Sequence, residues 1–177
     1  MSLIFIGGIH GVGKTDFCKK LSKYYNIQHY SASELISRKR NRTFSRDKKV
    51  DEITLNQEAL ISSIDDLQLE GEHFILDGHC TLLNTKGEIS RVPLQTFREL
   101  KPIALITLVN SIGVIQERLK SRDSLYYEVG FLEKFQVEEI TYSMQIAQEL
   151  MVPSIEFNEN EDIGHLSQLL LGVLDTH

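Results

Sequence analysis

Gly8-Ile9-His10-Gly11-Val12-Gly13-Lys14-Thr15 follows directly on the apolar run Leu3-Ile4-Phe5-Ile6-Gly7 and leads into Phe17, Leu21 and Tyr24, which recur at helical spacing. The stretch satisfies G-x-x-x-x-G-K-[ST] in full and stands between an expected strand and an expected helix, as the chemistry requires. Glycines let consecutive backbone N–H groups turn inward around phosphate oxygens, and the N-terminus of the following helix adds partial positive charge. Gly8, Gly11, Val12, Gly13, Lys14, Thr15 and Asp16 are therefore the expected phosphate-binding residues. Lys14 is expected to reach the β- and γ-phosphates of ATP, and the Thr15 hydroxyl to ligate Mg²⁺. His10 occupies a place that the motif leaves free and reads as a loop-shape residue.

Outward from this loop, short apolar runs alternate with helical patterns. A strand is expected at Gln28–Tyr30, and Ser31 with Glu34 has capping-box spacing for a helix through Ile36. Arg38-Lys39-Arg40-Asn41-Arg42, with Arg46, Lys48 and Lys49 beyond, is charged and aperiodic and predicts a loop. Helical period returns from Ile53 through Leu60, Ile64 and Leu67 and ends near Gly71; His73-Phe74-Ile75-Leu76-Asp77-Gly78 then reads as a buried strand with an acidic end. Residues 80–92 suggest a surface loop turning at Lys86-Gly87, and Pro93 opens a short helix to Leu100. Ile103–Val109 has the near-continuous apolar character of a parallel strand covered on both faces. Helices are expected over Ser111–Arg122 and Gly130–Met151, a last strand over Pro153–Phe157, and a closing amphipathic helix through Ile163, Leu166, Leu170 and Val173. This alternation predicts an α/β chain with a doubly wound, parallel five-stranded sheet flanked by helices, one domain over residues 1–177, and the phosphate loop after its first strand makes the P-loop NTPase fold the expected one.

Composition agrees with that class. The 177 residues carry 19 Lys plus Arg against 25 Asp plus Glu, a formal charge of −6, and 41% are hydrophobic, which excludes disorder as the main state. No apolar run approaches the roughly 18 residues of a membrane span. Met1 leads straight into the first strand pattern without a basic region or cleavage site, so neither membrane insertion nor secretion is expected. Cys18 and Cys80 are too few for a disulfide framework and are expected to pack as small hydrophobes in a cytoplasmic protein. Net acidity argues against duplex binding, because such proteins need a positive field. The local basic stretch keeps nucleic acid open as a less favoured partner.

Asp77 brings a carboxylate to the carboxyl edge of the sheet, either beside the nucleotide metal or capping a turn with Gly78. Gly78 and His79 stand where many ATP hydrolases carry a water-activating glutamate. Its absence favours transfer to a bound acceptor over hydrolysis.

With Leu76-Asp77-Gly78-His79, the loop Leu83-Asn84-Thr85-Lys86-Gly87 and Val92-Pro93 added to the phosphate loop, the chain resembles the adenylate kinase group of nucleoside monophosphate kinases. It looks most like the archaeal-type branch, where a strand-end Asp-Thr-His precedes Thr-Pro-Lys-Gly and then Leu-Pro. Here Gly78 replaces the Thr and no proline precedes Lys86. The resemblance implies an acceptor-binding segment over 32–70 and a lid over 118–130. Arg118 and Arg122, four apart and so on one helix face, are the implied lid arginines closing over the transferring phosphoryl group. After Arg122 the sequence contains no further arginine, where the family's lid normally carries more.

Arg46 and Lys49 are the preferred acceptor contacts, although the basic stretch could equally meet nucleic acid ends or stay a solvated loop; His79 either sits beside the acceptor, orients Asp77 and water, or is a hydrogen-bonded structural histidine. Asn158-Glu159-Asn160 stands where similar kinases wrap the ATP base with backbone groups. The expected activity is ATP- and Mg²⁺-dependent phosphoryl transfer, with Lys14, Asp77, Arg118 and Arg122 as catalytic residues and Thr15 and Asp77 at the metal. The acceptor is a nucleoside monophosphate or related small molecule. A polynucleotide 5′-hydroxyl kinase and a nucleotide-binding switch or regulatory ATPase are the alternatives. Oligomeric state is not legible in the sequence.

Overall fold

The structure, a computed structural model, describes residues 2–43, 52–68, 73–124, 126–166, 170 and 172. Five parallel strands form its centre: β1 (Leu3–Gly7), β2 (Gln28–Ser31), β3 (Phe74–Asp77), β6 (Pro102–Val109) and β7 (Ser154–Asn158), in the order β2-β3-β1-β6-β7. The expected parallel α/β architecture is thus observed. β1 sits in the middle because every one of its side chains is buried. Ile4 and Ile6 enter one apolar cluster with Phe17, Leu21, Ile75, Ile106 and Phe157. Leu3 and Phe5 enter the other, with Leu35, Leu60, Phe97 and Ile146. Alternation along one strand therefore feeds two cores, which a doubly covered sheet requires.

The helices are α1 (Lys14–Tyr25), α2 (Ala32–Thr43), α3 (Glu52–Gln68), α4 (Leu94–Leu100), α5 (Ile112–Asp123) and α6 (Val129–Leu150). Two expectations are corrected. The basic run Arg38–Arg42 lies inside α2, beyond the end expected near Ile36. Arg38 pairs with Glu34 one turn back at 3.6 Å, and Lys39 and Arg40 reach Asp66 and Asn56 of α3 at 2.9 and 2.8 Å. Partners on the same helix and on α3 thus hold a segment whose own pattern is aperiodic. Residues 80–92 are not a plain loop: β4 (Thr81–Leu83) and β5 (Ile89–Arg91) pair antiparallel. The Asn84 side-chain oxygen accepts the backbone N–H groups of Lys86 and Glu88 at 2.9 and 3.0 Å, and Gly87 supplies the positive φ that closes the turn.

The closing helix is observed as a 3₁₀ turn over Ile163–Leu166, and most of the remainder falls outside the described residues. Among the described residues no helix is long and apolar enough to cross a membrane. The segment 118–130 comprises the end of α5, the connection to α6 and the first residues of α6.

Candidate functional site

The turn from β1 into α1 forms the expected loop. Gly8, Gly11 and Gly13 all take positive φ. A Cβ on Gly8 would stand 2.8 Å from the Leu108 carbonyl oxygen, and one on Gly13 would stand 2.2 Å from the Glu159 carboxylate. Glycine is therefore demanded here both by backbone conformation and by close approach. Thr15 and Asp16 are exposed in the first turn of α1.

Lys14, only 8% exposed, folds back over this loop. Its ammonium donates to the carbonyls of Gly8 at 2.5 Å and Ile9 at 3.2 Å, and to His79 Nε2 at 3.1 Å. Burial lowers the Lys14 pKa, while Glu139, Asp77 and Cys18 oppose that shift. Burial, with Lys14 and His10 adding repulsion, holds His79 well below the ordinary histidine range. His79 is thus neutral at pH 7, which suits an Nε2 that accepts from Lys14.

Asp77, 5% exposed, ends β3 next to β1, in register with Ile6. Its Oδ2 lies 2.6 Å from His29 Nε2 on β2. His29, a residue to which the sequence analysis assigns no role, is the side chain that orients Asp77; His79 instead faces Lys14. Thr15 and Asp77 offer a hydroxyl and a carboxylate, the hard oxygen donors that Mg²⁺ takes, so the residues present fit that ion.

Both arginines of α5 turn to the phosphate loop. Arg118 donates to the Val12 carbonyl at 2.9 Å and forms a two-pronged pair with Glu159, one bond of which is 3.0 Å. Asn110 also donates to Glu159, at 2.6 Å. Arg122 Nη2 lies 3.2 Å from His10 Nε2. Asn158 is the last residue of β7, and its backbone N–H donates to Glu161 at 3.2 Å. The turn after β7 therefore presents Glu159, not Asn158, to the loop. Arg46 and Lys49 lie outside the described residues.

Glu139 of α6 is fully buried. It accepts the backbone N–H of Gly8 at 2.8 Å, of Cys80 at 2.9 Å and of Thr81 at 2.6 Å, and the Thr81 hydroxyl as well. One carboxylate thus fastens the phosphate loop to the segment after β3. A signal for it exists in the sequence: Leu132, Phe135, Tyr142 and Ile146 make the buried stripe of α6, and Glu139 falls in its middle. A charge on an apolar stripe has to be paired, and here hydrogen bonds do the pairing.

A cavity of about 810 Å³ opens beside His10 and His79, walled by β1, α2, α3, β4 and α4. Phe5, Ile36, Leu60, Val92 and Phe97 give it apolar lining, and Ser33, Ser37, Arg40, Asn56, Gln57 and Thr96 add polar groups. A smaller pocket of about 190 Å³ also borders both histidines and is lined by Leu119, Tyr127 and Phe131 as well.

None of the curated proteins matches the sequence. Among solved structures, a gluconokinase from Sinorhizobium meliloti 1021 is 13% identical, with TM-score 0.54, over 99% of this chain and 92% of that one. A candidate kinase from Chloroflexus aurantiacus is 14% identical, with TM-score 0.56, over 97% of each chain. An uncharacterised protein from Eubacterium ventriosum is 15% identical, with TM-score 0.53, over the full length of both. These likenesses show the fold alone, an α/β P-loop fold. The family profile described as AAA domain (AAA_17) matches residues 7–128, from the end of β1 to the connection before α6. Covering more than half of the sequence, that match shows that the chain belongs to this AAA domain family.

Proposed function

We propose that the protein transfers the γ-phosphoryl group of ATP to a nucleoside monophosphate, in the manner of the adenylate kinase group. The observation that carries this reading is the cavity of about 810 Å³ opening at His10 and His79 beside the phosphate loop. Phe5 and Phe97 in its wall suit a flat nucleobase, and Ser33, Ser37, Asn56, Gln57 and Thr96 offer polar groups to the base edge and ribose. Arg40 in the cavity lining supplies a planar cation for the acceptor phosphate. Residues 32–70 accordingly form the acceptor-binding segment, with Arg46 and Lys49 as further cations.

In this scheme an acceptor phosphate oxygen attacks the γ-phosphorus, the bond to the β,γ-bridging oxygen breaks, and ADP leaves. Lys14 exchanges its contacts with Gly8, Ile9 and His79 for phosphate oxygens. Arg122, beside His10 of the cavity lining, offsets charge on the transferring group, and Arg118 holds the lid end of α5 on the phosphate loop. Residues 118–130 are the lid. The turn at Asn158 and Glu159 borders the base of ATP. Thr15 and Asp77 would hold Mg²⁺, which when bound neutralises charge on the polyphosphate. With Gly78 and His79 after Asp77, no carboxylate activates water at that position. Two buried free thiols fit the reducing cytoplasm.

The test is a screen with radiolabelled ATP against AMP and other nucleoside monophosphates, gluconate, a 5′-hydroxyl oligonucleotide and a no-acceptor control. Labelled nucleoside diphosphate is expected. Label confined to the oligonucleotide, to gluconate or to free phosphate overturns the reading.

A further inference from the structure

We infer that Cys18, His29 and Asp77 form a binding site for a divalent cation of the Zn²⁺ class beneath the phosphate loop. The Cys18 sulfur, a His29 ring nitrogen and an Asp77 carboxylate oxygen all lie within 4.8 Å of one another. Three separate elements bring them together: α1 carries the thiol, β2 the imidazole and β3 the carboxylate. Parallel pairing of β2 with β3 sets Ser31 against Asp77, so His29 projects on the same side of the sheet two residues earlier. Cys18 is fully buried, and the His29 and Asp77 side chains are 12% and 8% exposed. Packing as a small hydrophobe accounts for a buried thiol but not for its placement beside a buried carboxylate and an imidazole.

Thiolate, imidazole and carboxylate make the mixed donor set that Zn²⁺ accepts with water in a fourth position, whereas Mg²⁺ prefers oxygen alone. Tetrahedral coordination at about 2.0–2.3 Å places ligand atoms about 3.3–3.6 Å apart. The His29–Asp77 contact, now 2.6 Å, has to open by about an ångström to admit the ion. Burial, and the neighbouring carboxylate after it, push the Cys18 pKa up and keep the empty site a thiol. On binding, the thiol proton leaves to solvent and the His29 ring proton moves to Nδ1, freeing Nε2 as a ligand. The local charge then rises by one unit. The ion also ties Asp77 down, so occupancy inhibits phosphoryl transfer; this consequence, unlike the site itself, rests on the role proposed above for Asp77.

Titration of the protein with Co²⁺ alone, followed by absorption, tests the site without reference to activity. About one Co²⁺ per chain with a thiolate-to-cobalt charge-transfer band is expected. The band should vanish in Cys18→Ser, survive in Cys80→Ser, and weaken with at least a tenfold loss of affinity in His29→Gln. Circular dichroism establishes that each variant is folded, and His29→Gln stands in if Cys18→Ser is not. No band in the wild type, or a band untouched by both Cys18→Ser and His29→Gln, overturns the proposal. A band in a protein that transfers no phosphoryl group keeps the site and removes the kinase reading. In an active protein, added Zn²⁺ should inhibit the wild type and spare Cys18→Ser.

Discussion

From Gly8 to Thr15 the candidate phosphate site is one continuous stretch of backbone, whereas the cavity beside it takes its walls from β1, α2, α3, β4 and α4. Apart from Lys14 and Thr15, the loop offers backbone N–H groups, and at Gly8 and Gly13 it is the absence of a side chain that matters. The cavity works through side chains that meet only after the chain has folded. Substitutions on the two sides should therefore fail differently: on the loop side by loss of chemistry or of fold, on the cavity side by loss of acceptor recognition with ATP binding intact.

The largest effect is expected at Lys14. Lys14→Ala should lower turnover by about 10³-fold, because one preorganised charge contact to a transition state is worth on the order of 10²–10³. ATP binding, read by calorimetric titration, should be lost, while the melting transition stays cooperative. Unchanged affinity in a folded variant would remove the nucleotide site.

Glu139→Gln comes next, and it breaks the loop side through stability. The amide turns one acceptor into a donor facing groups that already donate, so a charge-assisted bond is replaced by a clash. A loss of about 2–3 kcal/mol in urea unfolding is expected, with weaker ATP binding because Gly8 loses its anchor. Stability within about 0.5 kcal/mol of wild type would show that the carboxylate is not what fastens the loop.

Arg40→Ala sharpens the contrast from the other side. Loss of one charge-assisted contact of about 1.5 kcal/mol should raise the acceptor KM about tenfold and leave the KM for ATP unchanged. A rise in both would place Arg40 in the fold, through Asn56, and not in acceptor binding.

The smallest effect at neutral pH is expected for His79→Gln, which keeps an acceptor for Lys14. The native state holds His79 neutral, well below the ordinary value of 6.5, while the unfolded chain protonates near 6.5. Below that pH the unfolded state binds the extra proton, so wild-type stability falls with falling pH; above it the residue contributes no pH dependence. Unfolding curves on either side of pH 6.5 should show a shallower acid loss in the variant. Equal slopes would mean that His79 is protonated in the native protein as well.

How far the sequence could be read follows from how local each feature is. The strand–loop–helix unit at 3–25 is written in consecutive residues, because an apolar run, a glycine pattern and a helical period each need only their own neighbours. The order of the large elements was legible for the same reason, down to Ser111 at the start of α5. The extension of α2 through Arg42 was not, since Asp66 and Asn56, which hold it, lie on a helix later in the chain. The β4–β5 hairpin escaped because strands of three residues are too short to show alternation.

By itself, then, the sequence determined the fold class and the phosphate loop, because both depend on residue type within one turn of helix or one strand. Only the tertiary structure decided that Glu139 braces Gly8 from 131 residues away, that His29 holds Asp77, and that Glu159 covers Gly13. Each of these joins a charged or polar side chain to a partner on another element. Such a pair leaves no periodic trace in the chain, because burial and hydrogen bonding, not local conformation, fix its place.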